Sequence, residues 1–121
     1  MILHFKDLQV WKKAMDLAVE IYGLARLLPS VETYALADQM RRAAVSIPSN
    51  IAEGQQRRST KEFIQFLSIA KGSCAELETQ LYLCYKVGYL NQAQVKSVFG
   101  LIREVGKMLN GLIFKLQENE G

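Results

Sequence analysis

Between Phe63 and Gly88 the residues Phe63, Leu67, Ala70, Cys74, Leu77, Leu81, Cys84 and Gly88 recur with spacings of four and three in strict alternation. A seven-residue repeat held this long commits one face of a helix to its neighbours and predicts left-handed packing at about 20°. The series opens at Ser59-Thr60-Lys61-Glu62, where Ser59 as N-cap and Glu62 three residues on make a capping box. It ends at Val87-Gly88-Tyr89-Leu90-Asn91, with Gly88 as the C-terminal cap. A second series, Val95, Val98, Ile102, Val105, Leu109, Leu112 and Leu116, follows the same rule. Gly100, Gly106 and Gly111 fall within it, and glycine is costly inside a helix. They are read as points of close helix approach.

Two further segments complete the pattern. From Asp7 to Leu28, ahead of Pro29, two adjacent apolar stripes run side by side. One is Leu8, Trp11, Met15, Ala18, Tyr22 and Ala25, and the other is Val10, Ala14, Leu17, Ile21, Leu24 and Leu28. One stripe is enough to face a bundle core, so the pair is wider than a lone bundle needs. The next segment carries Leu36, Met40, Ala43, Ala44, Ile47 and Ile51, interrupted by Pro48. Helices over about 7–28, 32–55, 60–87 and 92–117 joined by short connections predict an all-α, up-down-up-down antiparallel four-helix bundle, its second helix kinked at Pro48. With 121 residues, half of them hydrophobic, one domain spanning 1–121 accounts for the chain.

Val10, Leu17, Leu24, Phe66, Ile69, Tyr82, Tyr85, Phe99, Leu101, Met108, Ile113 and Phe114 cannot all point inward in a bundle this thin. The surplus predicts a homo-oligomer. Cys74 and Cys84 stand ten residues apart, roughly 15 Å along one helix. They read as buried hydrophobes of a reducing compartment. No apolar run approaches the ~20 residues of a membrane span, and the start MILHFKDLQVWKK lacks the features of a secretion signal. A cytoplasmic protein is expected, with no membrane partner.

Catalytic chemistry is hard to build from these parts. The single histidine, His4, removes Ser-His-Asp, Cys-His and most zinc arrangements. Cys-x-x-Cys, Glu-x-x-His and glycine-rich phosphate loops are all missing, and Glu76 and Glu78 fall on different helix faces. No enzyme, metal site or cofactor is expected; a nuclease would want a general base. Gln39, Arg42, Ser46, Asn50 and Glu53 form a polar stripe beside the apolar one. Since Pro48 leaves the Ala44 carbonyl without its usual donor, this stripe reads as a structural network. Arg41 is turned away from it and expected to be exposed.

The net charge of +3 is modest, but Arg41, Arg42, Arg57, Arg58 and Lys61 face only Glu53 locally. Lys96, Arg103 and Lys107 share one face of the fourth segment, and Lys12 and Lys13 are placed on the solvent side of the first. Arg41, Arg57, Arg58, Lys61, Lys12, Lys13, Lys96, Arg103 and Lys107 are the candidate contacts for nucleic-acid phosphates. Copies arranged in a ring would join them into one basic field, binding RNA or DNA with steep salt dependence and weak sequence preference. Tyr34 or Tyr89 could stack on bases. The alternative is a protein–protein adaptor whose charges serve only solubility.

Two stretches carry a resemblance. Gln39-x-Arg41-Arg42-Ala43-Ala44-x-Ser46-Ile47-Pro48-x-Asn50-Ile51-Ala52-Glu53-Gly54 and Phe63-x-x-Phe66-Leu67-x-x-Ala70-x-Gly72-Ser73-x-x-Glu76-Leu77-Glu78 resemble the four-helix-bundle family of 23S rRNA intervening-sequence proteins. The similarity spans residues 5 to 116, and the accessory variability determinant proteins of diversity-generating retroelements share parts of these motifs. The resemblance implies a homopentameric barrel of four-helix bundles with a basic surface. In the retroelement branch it also implies binding to nucleic acid and to a reverse transcriptase. It carries over no catalytic residue.

Overall fold

The computed structural model describes residues 4–120. A short 3-10 turn, Phe5–Asp7, leads into α1 (Gln9–Ala25); a second, Ser30–Glu32, precedes α2 (Leu36–Gln55); α3 (Thr60–Lys86) and α4 (Gln92–Glu120) follow. Each helix packs against its neighbours in the order α1–α2–α3–α4 and back to α1, leaving the diagonal pairs apart. Met40, Ser46 and Gly54 of α2 meet Cys84, Ser73 and Phe66 of α3 respectively, so partners descend on one helix as they ascend on the other. Lys13 of α1 reaches Glu104 of α4 and Glu78 of α3 reaches Arg103. The bundle is therefore all-α, with antiparallel neighbours throughout.

The repeats bury as their spacing requires. Leu67, Ala70, Cys74, Leu77, Leu81 and Cys84 of α3 and Val95, Val98, Ile102, Val105 and Leu109 of α4 all lie in one apolar core. Of the two α1 stripes, Val10, Ala14, Leu17, Ile21, Leu24 and Leu28 form the core face. The second stripe covers the α1–α2 seam only in part, leaving Met15 and Tyr22 exposed and Trp11 half-buried.

The helix ends are set by local chemistry. Ser59 Oγ accepts from the Glu62 backbone N–H at 3.1 Å, the cap expected from the sequence. Gly88 takes φ +86° after α3, the one positive φ among the described residues. The amides of Gly88 and Tyr89 close back onto the carbonyls of Tyr85 and Cys84, a Schellman stop. The start of α4 holds a cap that sequence reading missed: Asn91 Oδ1 accepts from the Gln94 amide and Gln94 Oε1 from the Asn91 amide. The start of α2 has no side-chain cap at Ala35; Glu32 serves instead, accepting the Leu36 amide at 3.2 Å. Its other oxygen accepts the Tyr89 hydroxyl at 2.8 Å, tying the α1–α2 connection to the turn between α3 and α4. These two bonds explain why α2 begins at Leu36 and not near 32.

One expectation about glycine fails. A Cβ at Gly100, Gly106 or Gly111 would meet nothing within 4 Å, so none of them marks a close approach inside the bundle. The close approach is at Gly54, where a Cβ would stand 2.7 Å from Phe66 Cβ and 3.0 Å from Phe63 Cδ1. Because α2 and α3 are joined by a connection of only residues 56–59, their adjoining ends have to converge. A glycine is what lets the two phenylalanines lie against α2.

Candidate nucleic-acid interface

The polar stripe of α2 divides in two. Ser46 Oγ lies 2.8 Å from Ser73 Oγ of α3, and Asn50 Nδ2 donates to both Ser46 O (2.8 Å) and Ser46 Oγ (3.0 Å). Pro48 sits between these residues inside α2, which continues on either side of it. The trio satisfies its own groups in the seam between α2 and α3. Gln39, Arg42 and Glu53, expected in the same network, lie outside it. Gln39 is exposed, Arg42 Nε pairs with Asp38 at 2.9 Å, and Glu53 pairs with Arg57 at 2.6 Å. A stripe of five polar residues spans more of the helix circumference than one seam covers, and only the part facing Ser73 is enclosed.

The arginine pair of α2 is reversed from expectation. Arg41, expected to be exposed, is half-buried: its Nη2 donates to Thr33 O at 2.9 Å and lies 3.9 Å from Asp38. The chain before α2 folds back over this side and supplies the carbonyl. Arg42 is the exposed one, its side chain 80% accessible.

Several candidate phosphate contacts are already engaged. Arg57 is clamped between the Glu53 carboxylate and the Phe66 ring, whose centroid is 4.8 Å from the guanidinium carbon. Lys13, placed on the solvent side by its spacing, leans towards α4 with Nζ 3.5 Å from Glu104. Arg103 lies 3.7 Å from Glu78 and donates to the Tyr82 hydroxyl at 3.3 Å. Lys12, Arg58, Lys61, Lys96 and Lys107 are exposed and form no ion pair among the described residues. Arg58 and Lys61 sit at the α2–α3 turn, and Lys96 and Lys107 flank Arg103 along one face of α4.

That face borders an open groove of about 410 Å³ between α3 and α4. Tyr82 and Tyr85 line it from α3, and Lys96, Phe99, Gly100 and Arg103 from α4. Sequence reading had counted these aromatics as surplus apolar surface; what it lacked was their partner across the seam, since Phe99 belongs to another helix. Of the aromatics it did propose for stacking, Tyr34 is 92% exposed in the α1–α2 connection. Tyr89 is committed to Glu32, which holds its hydroxyl proton and raises its pKa.

A second groove, of about 310 Å³ and almost wholly apolar, runs between α1 and α2 over Trp11, Met15, Ala18, Val45, Pro48 and Ala52. Among the described residues no cluster of three or more His, Cys, Asp or Glu is arranged to hold a metal ion, and no helix is long and apolar enough to cross a membrane. Burial pushes both thiols up to about 11, helped by the nearby carboxylates of Glu78 for Cys74 and Glu32 for Cys84. Neither cysteine is a nucleophile at neutral pH.

No curated protein matches the sequence significantly. Among solved structures, the bundle is similar to a protein of unknown function from the S23 ribosomal protein family of Bacteroides thetaiotaomicron, with a TM-score of 0.80 and 30% sequence identity. The match covers 86% of this chain and 97% of that one. The sequence pattern of the 23S rRNA-intervening sequence proteins matches residues 6–111, a span that holds all of α1 to α3, the α2–α3 clamp and most of α4. The chain belongs to the 23S rRNA-intervening sequence protein family.

Proposed function

We propose that the protein is a non-enzymatic scaffold that assembles into a homo-oligomer and binds structured RNA or DNA through a basic surface. The observation that carries this reading is that five of the nine candidate phosphate contacts, Lys12, Arg58, Lys61, Lys96 and Lys107, are exposed and form no ion pair among the described residues. A charge already held by a carboxylate must break that pair to meet a phosphate, whereas these need only shed counterions. Oligomerisation repeats the set around the assembly, and a +3 chain gains a continuous field that one copy lacks. The reading takes the number of copies to be five, as the family resemblance implies. The reading places the protein in the cytoplasm, accompanying structured ribosomal RNA or a reverse transcriptase.

The test is a salt titration of binding to a structured RNA. Each phosphate contact removed should lower the slope of log K against log salt by about 0.9, so Arg58→Ala with Lys61→Ala and Lys96→Ala with Lys107→Ala should each flatten it. Arg57→Ala should leave the slope nearly unchanged, because its charge is spent on Glu53. Absence of binding at about 50 mM salt sinks the reading. The second reading, a protein–protein adaptor, draws on the apolar α1–α2 groove, since apolar grooves are surfaces on which amphipathic helices dock.

A further inference from the structure

In the α3–α4 groove, rings and cations meet on the surface. Tyr82 and Tyr85 are three residues apart on α3, hence neighbours on one flank of it. Each is 43% exposed. Phe99, half-buried on α4, braces Tyr82 with ring centroids 4.5 Å apart and planes tilted by 35°. Arg103 donates to the Tyr82 hydroxyl at 3.3 Å, which fixes the other end of the same ring. Phe99 and Arg103 thus support one partly exposed tyrosine from two ends.

The groove floor is open for a reason that can be named. Gly100 lies between Lys96 and Arg103 on α4 and puts no side chain into the space. A Cβ there would meet nothing within 4 Å, so neither packing nor backbone conformation within the bundle requires the glycine. Glycine inside a helix costs about 1 kcal/mol relative to alanine. On the rim, Lys96 has no ion pair among the described residues, and Lys107 continues the line one turn beyond Arg103.

We infer that this groove is a stacking subsite for unpaired bases of a nucleic-acid strand, with Lys96 and Lys107 meeting the phosphates and Arg103 holding Tyr82 in place. The inference rests on the nucleic-acid reading above and narrows it. A paired duplex keeps its base faces inside its own stack, so only a single-stranded or looped-out nucleotide can offer a ring to Tyr82 and Tyr85. Sequence preference should be weak, because every base has a π-face.

The test compares fluorescence anisotropy of a labelled oligouridine single strand with that of a fully paired RNA duplex of equal length, at about 50 and about 200 mM salt. The proteins are the full chain, Tyr82→Leu/Tyr85→Leu, and Gly100→Leu, which adds a side chain at the groove's open position, its Cβ meeting nothing within 4 Å. Unchanged thermal melts by circular dichroism show that each variant folds. At 1–3 kcal/mol per stacked base, either variant should weaken single-strand binding by about 5- to 150-fold while duplex binding stays within about twofold. Equal single-strand affinity for the full chain and both variants overturns the groove alone, as does an equal loss for the duplex. Failure of the full chain to bind either probe at low salt overturns the basic-surface reading and this one together.

Discussion

A methyl group at position 54 would face Phe66 Cβ at 2.7 Å and the Phe63 carbonyl at 3.3 Å, atoms that cannot swing aside without moving α3. Gly54→Ala should therefore cost about 1–3 kcal/mol, seen as a lower urea midpoint at unchanged m. Gly106→Ala, with open space around its new Cβ, should be neutral or stabilising by up to about 1 kcal/mol. An unchanged midpoint for Gly54→Ala would refute the close-packing account. The thiols make a second prediction at this scale. With both pushed up to about 11 by burial, the unfolded chain loses its thiol protons first as pH rises. Stability is then fully present below about pH 9 and falls progressively as pH climbs towards 11. Denaturation curves at pH 7.5 and 10.5 (about one pH unit or more on either side of the ordinary thiol pKa) check this, and Cys74→Ala/Cys84→Ala should show a shallower decline.

Among the elements, α2 and its seam with α3 hold the polar groups that matter for stability. Asn50→Ala removes two donated bonds and exposes the Ser46–Ser73 pair to a lost partner, so it should destabilise by about 1–3 kcal/mol. Glu53→Ala, which breaks one exposed pair with Arg57, should cost no more than about 1 kcal/mol. Equal losses for the two would restore the single extended network that the sequence suggests. The contrast shows what sequence can and cannot carry. Spacing told which α3 and α4 residues face the core, because seven-residue repeats depend only on the helix itself. It could not separate Ser46 and Asn50 from Gln39 and Glu53, since that depends on where Ser73 of another helix arrives. The same limit reversed Arg41 and Arg42, whose exposures are decided by the path of the chain before α2. The Tyr82–Phe99 pair was hidden for the same reason.

At the scale of the molecule, the unfinished business is the α1–α2 surface. Trp11, Met15, Tyr22 and Val45 leave apolar area in the open along one side of the bundle, and in the proposed oligomer a second copy would cover it, where the adaptor reading would seat a foreign helix. Size-exclusion chromatography with light scattering should give a multiple of the 13.7 kDa chain mass. Met15→Glu with Val45→Glu should shift it to a monomer that keeps its helix content. A wild-type monomer at micromolar concentration would end the oligomer reading. On the reading proposed above, the two grooves would have separate duties on opposite flanks, assembly on α1–α2 and nucleic acid on α3–α4.

The tight junction of α2 and α3 also bears on how quickly the chain finds its shape. Gly54, Phe63 and Phe66 meet across the shortest connection between long helices, and Arg57 closes over Phe66. Contacts so near in sequence can form before much loop entropy has been lost, which favours this hairpin as the place where folding starts. Truncating Phe66 should then slow refolding in proportion to its loss of stability, a φ-value above about 0.5. Truncating Leu24, which depends on α1 docking later, should mainly speed unfolding.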